Sequence, residues 1–203
     1  AVANVDLVIE AIYEEIGIKK DVFAKLDAIV RPGAILASNT SFLDLDAIAA
    51  ATGRPQDVVG LHFFNPPHQM PLVEVIHTPQ TSPAALAKAF AAVQRLGKTP
   101  VVVGDCAGFL VNRLLGPYMN ESGFLLAELS DPLELDRAAV EFGMPMGPFV
   151  LSDTVGIDVG VKVIHSLQEA YGERMKVAEI FEEIYKYHKE LLGKKCGKGF
   201  YIY

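Results

Sequence analysis

Residues 58–67 read VVGLHFFNPP, and residues 72–77 read LVEVIH. Both runs are largely apolar, as is typical of strands inside a sheet. Successive prolines cannot continue a hydrogen-bonded ladder, so the first run must leave the sheet after Asn65. The two runs therefore predict neighbouring buried strands that are separated by a sharp change of direction.

The same alternation extends outward from these two runs. Further apolar runs lie at residues 6–12, 34–37 and 100–103. Amphipathic stretches lie between several runs, at about residues 17–30, 44–51 and 82–97, and Ser82-Pro83 has the residue types of a helix cap and first turn. Strand and helix in alternation predict a mostly parallel sheet with helices on its faces. The continuous apolar character of residues 6–12 predicts a strand that is buried on both faces.

The pattern changes near residue 105, where strands give way to helical windows. These windows cover about residues 108–128, 131–142, 148–171 and 175–192. We therefore expect an α/β region followed by an all-α region, with one domain at residues 1–105 and a second at residues 106–203.

Composition excludes several classes of protein. The chain has 203 residues and a formal net charge of −7, which argues against a binding surface for nucleic acid. Cys106 and Cys196 are too few for a disulfide framework, and they indicate a reducing compartment such as the cytoplasm or an organelle matrix. No window is long and apolar enough for a membrane span, and no metal site is predicted.

A histidine and an acid occupy the two central runs. Glu74 has Leu and Val neighbours, and a buried carboxylate is costly unless it is paired. His62 is the natural partner, and the carboxylate would fix its tautomer and stabilise the imidazolium that forms when the ring takes a proton. The alternative is a core histidine that bonds a backbone carbonyl. His68 and His77 are rival candidates for the same catalytic role.

Other polar side chains are also candidates for a site. Residues 38–41 read SNTS directly after a strand, where they either cap the next helix or bond a ligand. Asn112 has mostly apolar neighbours, and a buried asparagine requires hydrogen-bond partners. Glu10 and Glu14 either touch a ribose hydroxyl or lie in solvent. Lysines between residues 186 and 198 either form a solvated helix end or reach a phosphate.

These motifs together resemble the L-3-hydroxyacyl-CoA dehydrogenase family, including the dehydrogenase part of multifunctional fatty-acid oxidation proteins. The segments that carry the resemblance are DLVIEAI, ASNTS, GLHFFNPP with MPLVEV, GKTPVVV with GFLVNRLL, GMPMGPF with DTVGID, and GKKCGKGFYIY. They cover nearly the whole chain, and HFFNP followed by LVEV is highly specific. Ala107 and Phe42 depart from the usual family residues, at positions for which no role is proposed.

The resemblance implies NAD-dependent oxidation of (S)-3-hydroxyacyl-CoA to 3-ketoacyl-CoA in fatty-acid β-oxidation. It assigns the general base to His62 and its orienting carboxylate to Glu74. It implies that Ser41 and Asn112 form hydrogen bonds with the substrate oxygen. The residues implied for the cofactor are Glu14, Lys19, Ser41, Asn65 and Lys195. The implied assembly is a homodimer or one part of a larger multifunctional chain.

The sequence contains no G-x-G-x-x-G fingerprint, and by the resemblance it begins at the family's fourth strand. We therefore expect the C-terminal half of a Rossmann-like NAD-binding domain plus a helical domain. We also expect these residues to belong to a longer chain, whose other residues are needed for tight NAD binding. Residues 6–12 would then lie at an exposed sheet edge. Two other functions stay open: a non-catalytic substrate-binding or assembly module, and a hydroxy-acid dehydrogenase that does not use CoA.

Overall fold

The computed structural model describes residues 2–129 and 131–203. The chain divides into two compact units, Ala1–Leu110 and Val111–Tyr203. The first unit carries a five-stranded sheet with helices, and the second carries helices. This arrangement confirms the predicted α/β region followed by an all-α region.

The first unit is built on strands that lie side by side in chain order. The strands are β1 (Leu7–Glu10), β2 (Ile35–Ser38), β3 (Val58–Phe63), β4 (Leu72–His77) and β5 (Thr99–Gly104). Neighbours are parallel except for β3 and β4, which are antiparallel. The antiparallel step follows from the short proline-containing connection after β3, because parallel neighbours need a much longer crossover. The predicted mostly parallel sheet is confirmed.

Three helices cover the two faces of this sheet. They are α1 (Ile16–Ile29), α2 (Leu45–Ala49) and α3 (Pro83–Arg95). Phe23 of α1 and Ile48 of α2 share one buried cluster, and α3 contributes Ala89 to a separate cluster formed with other strand residues. The helix α3 begins as predicted, with the Ser82 side chain accepting a hydrogen bond from the Ala85 N–H group.

The prediction that the strand within residues 6–12 is buried on both faces is wrong. β1 is an edge strand, which confirms the expectation that residues 6–12 lie at an exposed sheet edge, and Ile9 is 39% exposed. A strand at an edge has a neighbour on one side, so its side chains are covered less than those of β2, which are all buried. The continuous apolar character of residues 6–12 therefore does not indicate how far the strand is buried.

Helices make up the second unit. They are α4 (Val111–Leu129), α5 (Pro132–Phe142), α6 (Pro148–Val155), α7 (Ile157–Tyr171) and α8 (Glu179–Tyr187). The predicted single window at 148–171 is two helices, because Gly156 has a φ of 102° that an α-helix cannot continue through. Among the described residues, no helix has both the length and the apolar character that a membrane crossing requires.

The predicted window at 175–192 also begins too early. Asn120 of α4 donates a hydrogen bond to the Lys176 carbonyl and accepts one from the Ala178 N–H group. These side-chain bonds replace helical backbone bonds, so the segment before α8 stays outside the helix. Ala178 has an extended backbone conformation and α8 begins at Glu179.

A buried carboxylate holds the last residues of the chain onto the second unit. Asp153 in α6 is 1% exposed and accepts hydrogen bonds from the N–H groups of Phe200 and Tyr201 and from the Tyr203 hydroxyl. The Tyr201 hydroxyl in turn donates to Asp136, which also accepts from N–H groups at the start of α6. These bonds join the terminal segment to two helices.

We expect Asp153→Asn to lower the free energy of unfolding by about 3 kcal/mol, because an amide leaves at least one buried donor unsatisfied. Asp158→Asn is the matched control, since Asp158 pairs with the exposed Lys195 and should cost less than about 1 kcal/mol. Urea denaturation of both variants measures the difference. Equal losses would show that Asp153 does not have this role.

The stability of this segment should depend on alkaline pH. Burial and the hydrogen bond to Asp153 raise the pKa of Tyr203 from 10.0 to about 12. A group whose pKa is higher in the folded state stabilises the fold while protonated, so this contribution is present below pH 10 and is lost as the pH rises towards 12. Between these pH values the urea midpoint should therefore fall more steeply for the natural sequence than for Tyr203→Phe. Parallel curves would contradict the assignment.

Candidate functional site

The imidazole and the carboxylate predicted from the central strands lie side by side. The antiparallel register pairs His62 with Glu74, and the distance between His62 Nδ1 and Glu74 Oε2 is 2.7 Å. His62 is 5% exposed and Glu74 is fully buried. Val73 and Val75 pack in the cluster with α3, so alternation along the strand places Glu74 on the other face of the sheet.

The segment that follows β5 completes the environment of this pair. The Leu110 N–H group donates a hydrogen bond to Glu74 Oε1 over 2.9 Å. Phe109 has a φ of 46°, a left-handed conformation that is uncommon for a bulky residue, and its ring centroid lies 5.7 Å from that of His62. The ring centroid of Phe64 lies 4.6 Å from that of His62. Aromatic rings and a fixed carboxylate therefore orient the imidazole.

This geometry defines which imidazole nitrogen is left to accept a proton. An ionised carboxylate only accepts hydrogen bonds, so Nδ1 of His62 carries the proton that it donates to Glu74. In the neutral ring, Nε2 then carries the lone pair. The pair can take up a proton at Nε2 and hold the resulting positive charge against Glu74.

The other histidines have different surroundings. The Nδ1 atom of His77 lies 3.4 Å from the Thr78 carbonyl, and His68 is exposed beside Gln69. In the second unit, His165 also contacts a carboxylate, that of Glu182, but its side chain is 42% exposed. Of the three histidines considered from the sequence, His62 is the one that has a buried carboxylate partner.

The polar residues after β2 do not cap the next helix. The N-cap of α2 is Asp44, whose side chain accepts from Ala47 N–H, and Asp105 accepts from two further N–H groups at the start of this helix. Burial raises the pKa of the Asp105 carboxyl, although these hydrogen bonds act in the opposite direction. The capping interpretation of residues 38–41 was therefore wrong, because a residue nearer the helix supplies the cap.

The last residue of β2 and the three residues that follow it instead contact groups at or just beyond the ends of neighbouring strands. The Ser38 hydroxyl donates to Glu10 Oε2 over 2.8 Å, and Asn39 Oδ1 accepts from the Phe63 N–H group at the end of β3. The Ser41 N–H group and the Thr40 hydroxyl both donate to Glu14 Oε1, over 2.7 and 2.6 Å. Side chains thus join the carboxyl ends of β1, β2 and β3.

Glu10, Lys19 and the partly exposed Glu14 form a group of charges that we call the acid–lysine cluster. The ammonium of Lys19 lies 2.7 Å from Glu10 Oε1 and 3.2 Å from Glu14 Oε2. Lys19 is fully buried and Glu10 is 5% exposed. The expectation that Glu10 either touches a ribose or lies in solvent is therefore wrong, because its carboxylate is enclosed with Lys19 and Ser38.

The remaining predicted site residues are Asn65 in the first unit and Asn112 and Lys195 in the second. Asn65 is exposed just beyond β3. In the second unit, Lys195 pairs with Asp158 in a partly exposed ion pair. Asn112 is half-buried near the start of α4 and lines a largely apolar cavity of that unit. Their predicted roles in cofactor or substrate binding stay predictions.

Two contacts of the site were not predicted from the sequence. The bond from Leu110 N–H to Glu74 depends on a loop conformation, and no local pattern indicates it. The pairing of Glu10 with Lys19 had a usable signal, because Glu10 is a carboxylate in an apolar run like Glu74. Applying the same requirement for a partner to Glu10 would have indicated a buried cation.

Comparisons with known proteins agree with this organisation. Residues 1–106 match the family described as 3-hydroxyacyl-CoA dehydrogenase, NAD binding domain, and residues 108–203 match its C-terminal domain. The fatty acid oxidation complex subunit alpha of Shewanella amazonensis is 46% identical over 202 residues. The match covers 100% of this chain, which spans 28% of the length of that relative.

Solved structures are similar over the whole fold. The structure of FadB2 from M. tuberculosis has a TM-score of 0.94 and 39% identity, and the match covers 100% of this chain and 72% of that one. The (S)-3-hydroxybutyryl-CoA dehydrogenase PaaH1 from Ralstonia eutropha has a TM-score of 0.92 and 37% identity, with coverage of 98% and 70%. These similarities, together with family matches along nearly the entire sequence, show that the chain belongs to the 3-hydroxyacyl-CoA dehydrogenase family.

Proposed function

We propose that this chain takes part in the NAD-dependent oxidation of (S)-3-hydroxyacyl-CoA to 3-ketoacyl-CoA in fatty-acid β-oxidation. The observation that carries the proposal is the buried contact between His62 Nδ1 and Glu74 Oε2. Family membership supports the reaction type, and the name of the Shewanella relative supports the pathway. A module without catalysis would have no evident use for a buried imidazole held against a carboxylate.

In the proposed reaction, Nε2 of His62 takes the proton of the substrate's 3-hydroxyl group. The buried carboxylate of Glu74 stabilises the imidazolium as it forms, because opposite charges attract strongly where water is scarce. The bound dinucleotide supplies the nicotinamide ring that accepts the hydride from C3. In the reverse direction His62 returns its proton to the oxygen.

Residues at the carboxyl ends of the strands fit the sugar and amide groups of such a dinucleotide. The Glu14 side chain is 27% exposed, and a carboxylate is a suitable acceptor for ribose hydroxyls. Asn65, exposed beyond β3, has an amide that both donates and accepts. We propose Glu14, Lys19, Ser41 and Asn65 as cofactor contacts of the first unit, as the resemblance implies, and the choice of NAD over NADP follows the family description.

Ser41 is the proposed donor to the substrate oxygen in the first unit. It is half-buried, and its N–H group donates to Glu14, which fixes the backbone from which the hydroxyl extends. A hydroxyl at a fixed position can stabilise an oxygen whose charge changes during hydride transfer. Asn112 and Lys195 keep their predicted roles at the substrate oxygen and the cofactor.

The proposed assembly and location follow from the relatives. Because the Shewanella relative is named as a complex subunit, we propose that this chain acts within a larger multifunctional assembly, with a homodimer as the alternative. The proposed location is the cytoplasm or an organelle matrix, as the cysteine content indicates.

In the full-length protein, His62→Gln should lower kcat for 3-hydroxyacyl-CoA oxidation by about 100-fold or more, because the general base is lost. Glu74→Gln should also lower kcat strongly, since the imidazolium would lose its countercharge. The rate is followed through the absorbance of NADH formed from NAD.

His77→Gln is the matched control for this experiment. His77 lies at the end of β4, contacts the Thr78 carbonyl and has no proposed role, so its substitution should leave kcat close to that of the natural protein. Circular dichroism checks that each variant is folded. A folded His62→Gln protein with full activity would disprove the proposed base. Turnover of free 3-hydroxybutyrate at the rate of its CoA ester would disprove the proposed substrate class.

A further inference from the structure

The connection between β3 and β4, residues 64–71, reads FNPPHQMP, and we call it the proline loop. Its three prolines have no N–H group to donate, and residues 67–71 are exposed. The Pro66 carbonyl accepts from the N–H groups of Gln69 and Met70, which forms one turn. Because the loop has little packing and is short of donors, its shape depends on hydrogen bonds that reach it from outside.

The side chain of Lys98 supplies two such bonds. Its ammonium donates to the Pro67 carbonyl over 2.6 Å and to the Met70 carbonyl over 2.8 Å. Two carbonyl oxygens that converge on one point repel each other, and a cation between them replaces the repulsion with attraction. Hydrogen bonds from a charged donor are also stronger than those from a neutral donor. The ammonium of Lys98 therefore closes the proline loop.

The turn after α3 places Lys98 beside this loop. Gly97 has a φ of 72°, a left-handed conformation that ends α3 and leads the chain into β5. The Thr99 N–H group donates to the Pro71 carbonyl over 2.8 Å, and the sheet register pairs Thr99 with Leu72. Lys98 is thereby held next to the end of the proline loop, where it is half-buried.

The proline loop and Lys98 lie at the edge of the sheet that carries the candidate site. The strands β1, β2 and β3 are parallel, so their carboxyl ends share one edge. Because β4 is antiparallel to β3 and β5 is parallel to β4, the amino ends of β4 and β5 lie at that same edge. Phe64, whose ring lies against His62, and Asn65 are the first two residues of the loop. The shape of the loop therefore sets the position of Asn65.

We infer that Lys98 is a positioning residue, which holds the proline loop so that Asn65 meets the dinucleotide. The inference rests on the proposed function, in which Asn65 contacts the cofactor. Lys98 acts through the loop backbone, because its ammonium bonds the carbonyls of Pro67 and Met70. This gives a role to the lysine of the segment GKTPVVV.

Lys98→Met in the full-length protein tests this role. We expect KM for NAD, and the dissociation constant for NAD measured by calorimetry, to rise by roughly 3- to 10-fold, the range for one lost hydrogen bond. At saturating NAD, kcat should change by less than roughly 2-fold, because a binding contact stabilises the ground state and the transition state alike. Hydrogen exchange at Gln69 and Met70 should become faster, since the turn that protects them loosens.

Asn65→Ala and the double variant Lys98→Met with Asn65→Ala show whether Lys98 acts through Asn65. Both should raise the dissociation constant for NAD by the same factor, because moving the backbone under an absent side chain has no further effect on binding. Independent roles would instead multiply the two factors.

Three further variants complete the design. Lys98→Arg keeps a charge that can bond both carbonyls, so NAD affinity should stay within roughly 2-fold of the natural protein. Lys98→Gln keeps an N–H donor for a carbonyl, so it should fold even if Lys98→Met does not, and it should show a smaller rise. Lys88→Met is the matched control, because Lys88 is an exposed lysine of α3 whose ammonium bonds the Gly33 carbonyl. It should change neither NAD binding nor exchange at Gln69 and Met70.

The outcomes distinguish this inference from its alternatives. A double variant in which the two factors multiply would show that Lys98 acts independently of Asn65 and would overturn the inference. A lower melting temperature with unchanged NAD affinity would overturn it as well, because Lys98 would then serve stability alone. If the natural protein binds NAD but does not oxidise 3-hydroxyacyl-CoA, the proposed function fails, whereas the calorimetric comparison still decides whether Lys98 positions Asn65.

Discussion

The carboxylate of Glu74 is fully buried in the middle of a sheet, and a charge in that position requires a partner. His62 on the neighbouring strand and the Leu110 N–H group meet this requirement from two sides. The antiparallel step between β3 and β4 makes the first contact possible, because it sets the two residues directly opposite each other. The need to pair one buried charge thus links the sheet topology to the proposed proton transfer.

The same requirement recurs at two other places in the chain. Lys19 is buried and takes Glu10 and Glu14 as partners, which joins α1 to the ends of β1 and β2. Asp153 is buried in the second unit, where its partners are N–H groups and a hydroxyl of the terminal segment. Asp153 joins segments that are distant in sequence, and Lys19 reaches the more distant β2 through Glu10, which accepts from Ser38. Buried charges therefore serve in this protein as fixed points between elements that hydrophobic packing alone would orient less specifically.

Particular residues show how much of the candidate site and of the fold could be predicted from the sequence. Glu74 stood out because a carboxylate in an apolar strand is costly, and the same reasoning led to His62. Glu10 presented the same signal, but its partner Lys19 lies in a helix, and no strand-pairing argument indicates it. The start of α8 was missed because the side chain of Asn120, distant in sequence, takes the hydrogen bonds of residues 176 and 178. Local periodicity cannot register a competing bond from another helix.

By itself, the sequence determined the succession of strands and helices, the change to an all-helical second half and the family resemblance, and it favoured the pairing of His62 with Glu74. The elements depend on local periodicity, the pairing depends on the cost of burying a charge, and the resemblance depends on short motifs, all of which can be read from neighbouring residues. Only the tertiary structure decided which of the two expectations for residues 6–12 holds, that Lys19 is enclosed, and that the Glu14 carboxylate accepts from the Ser41 N–H group. These depend on which distant segments pack together, because both the exposure of a strand and the partners of a long side chain are set by neighbours in space.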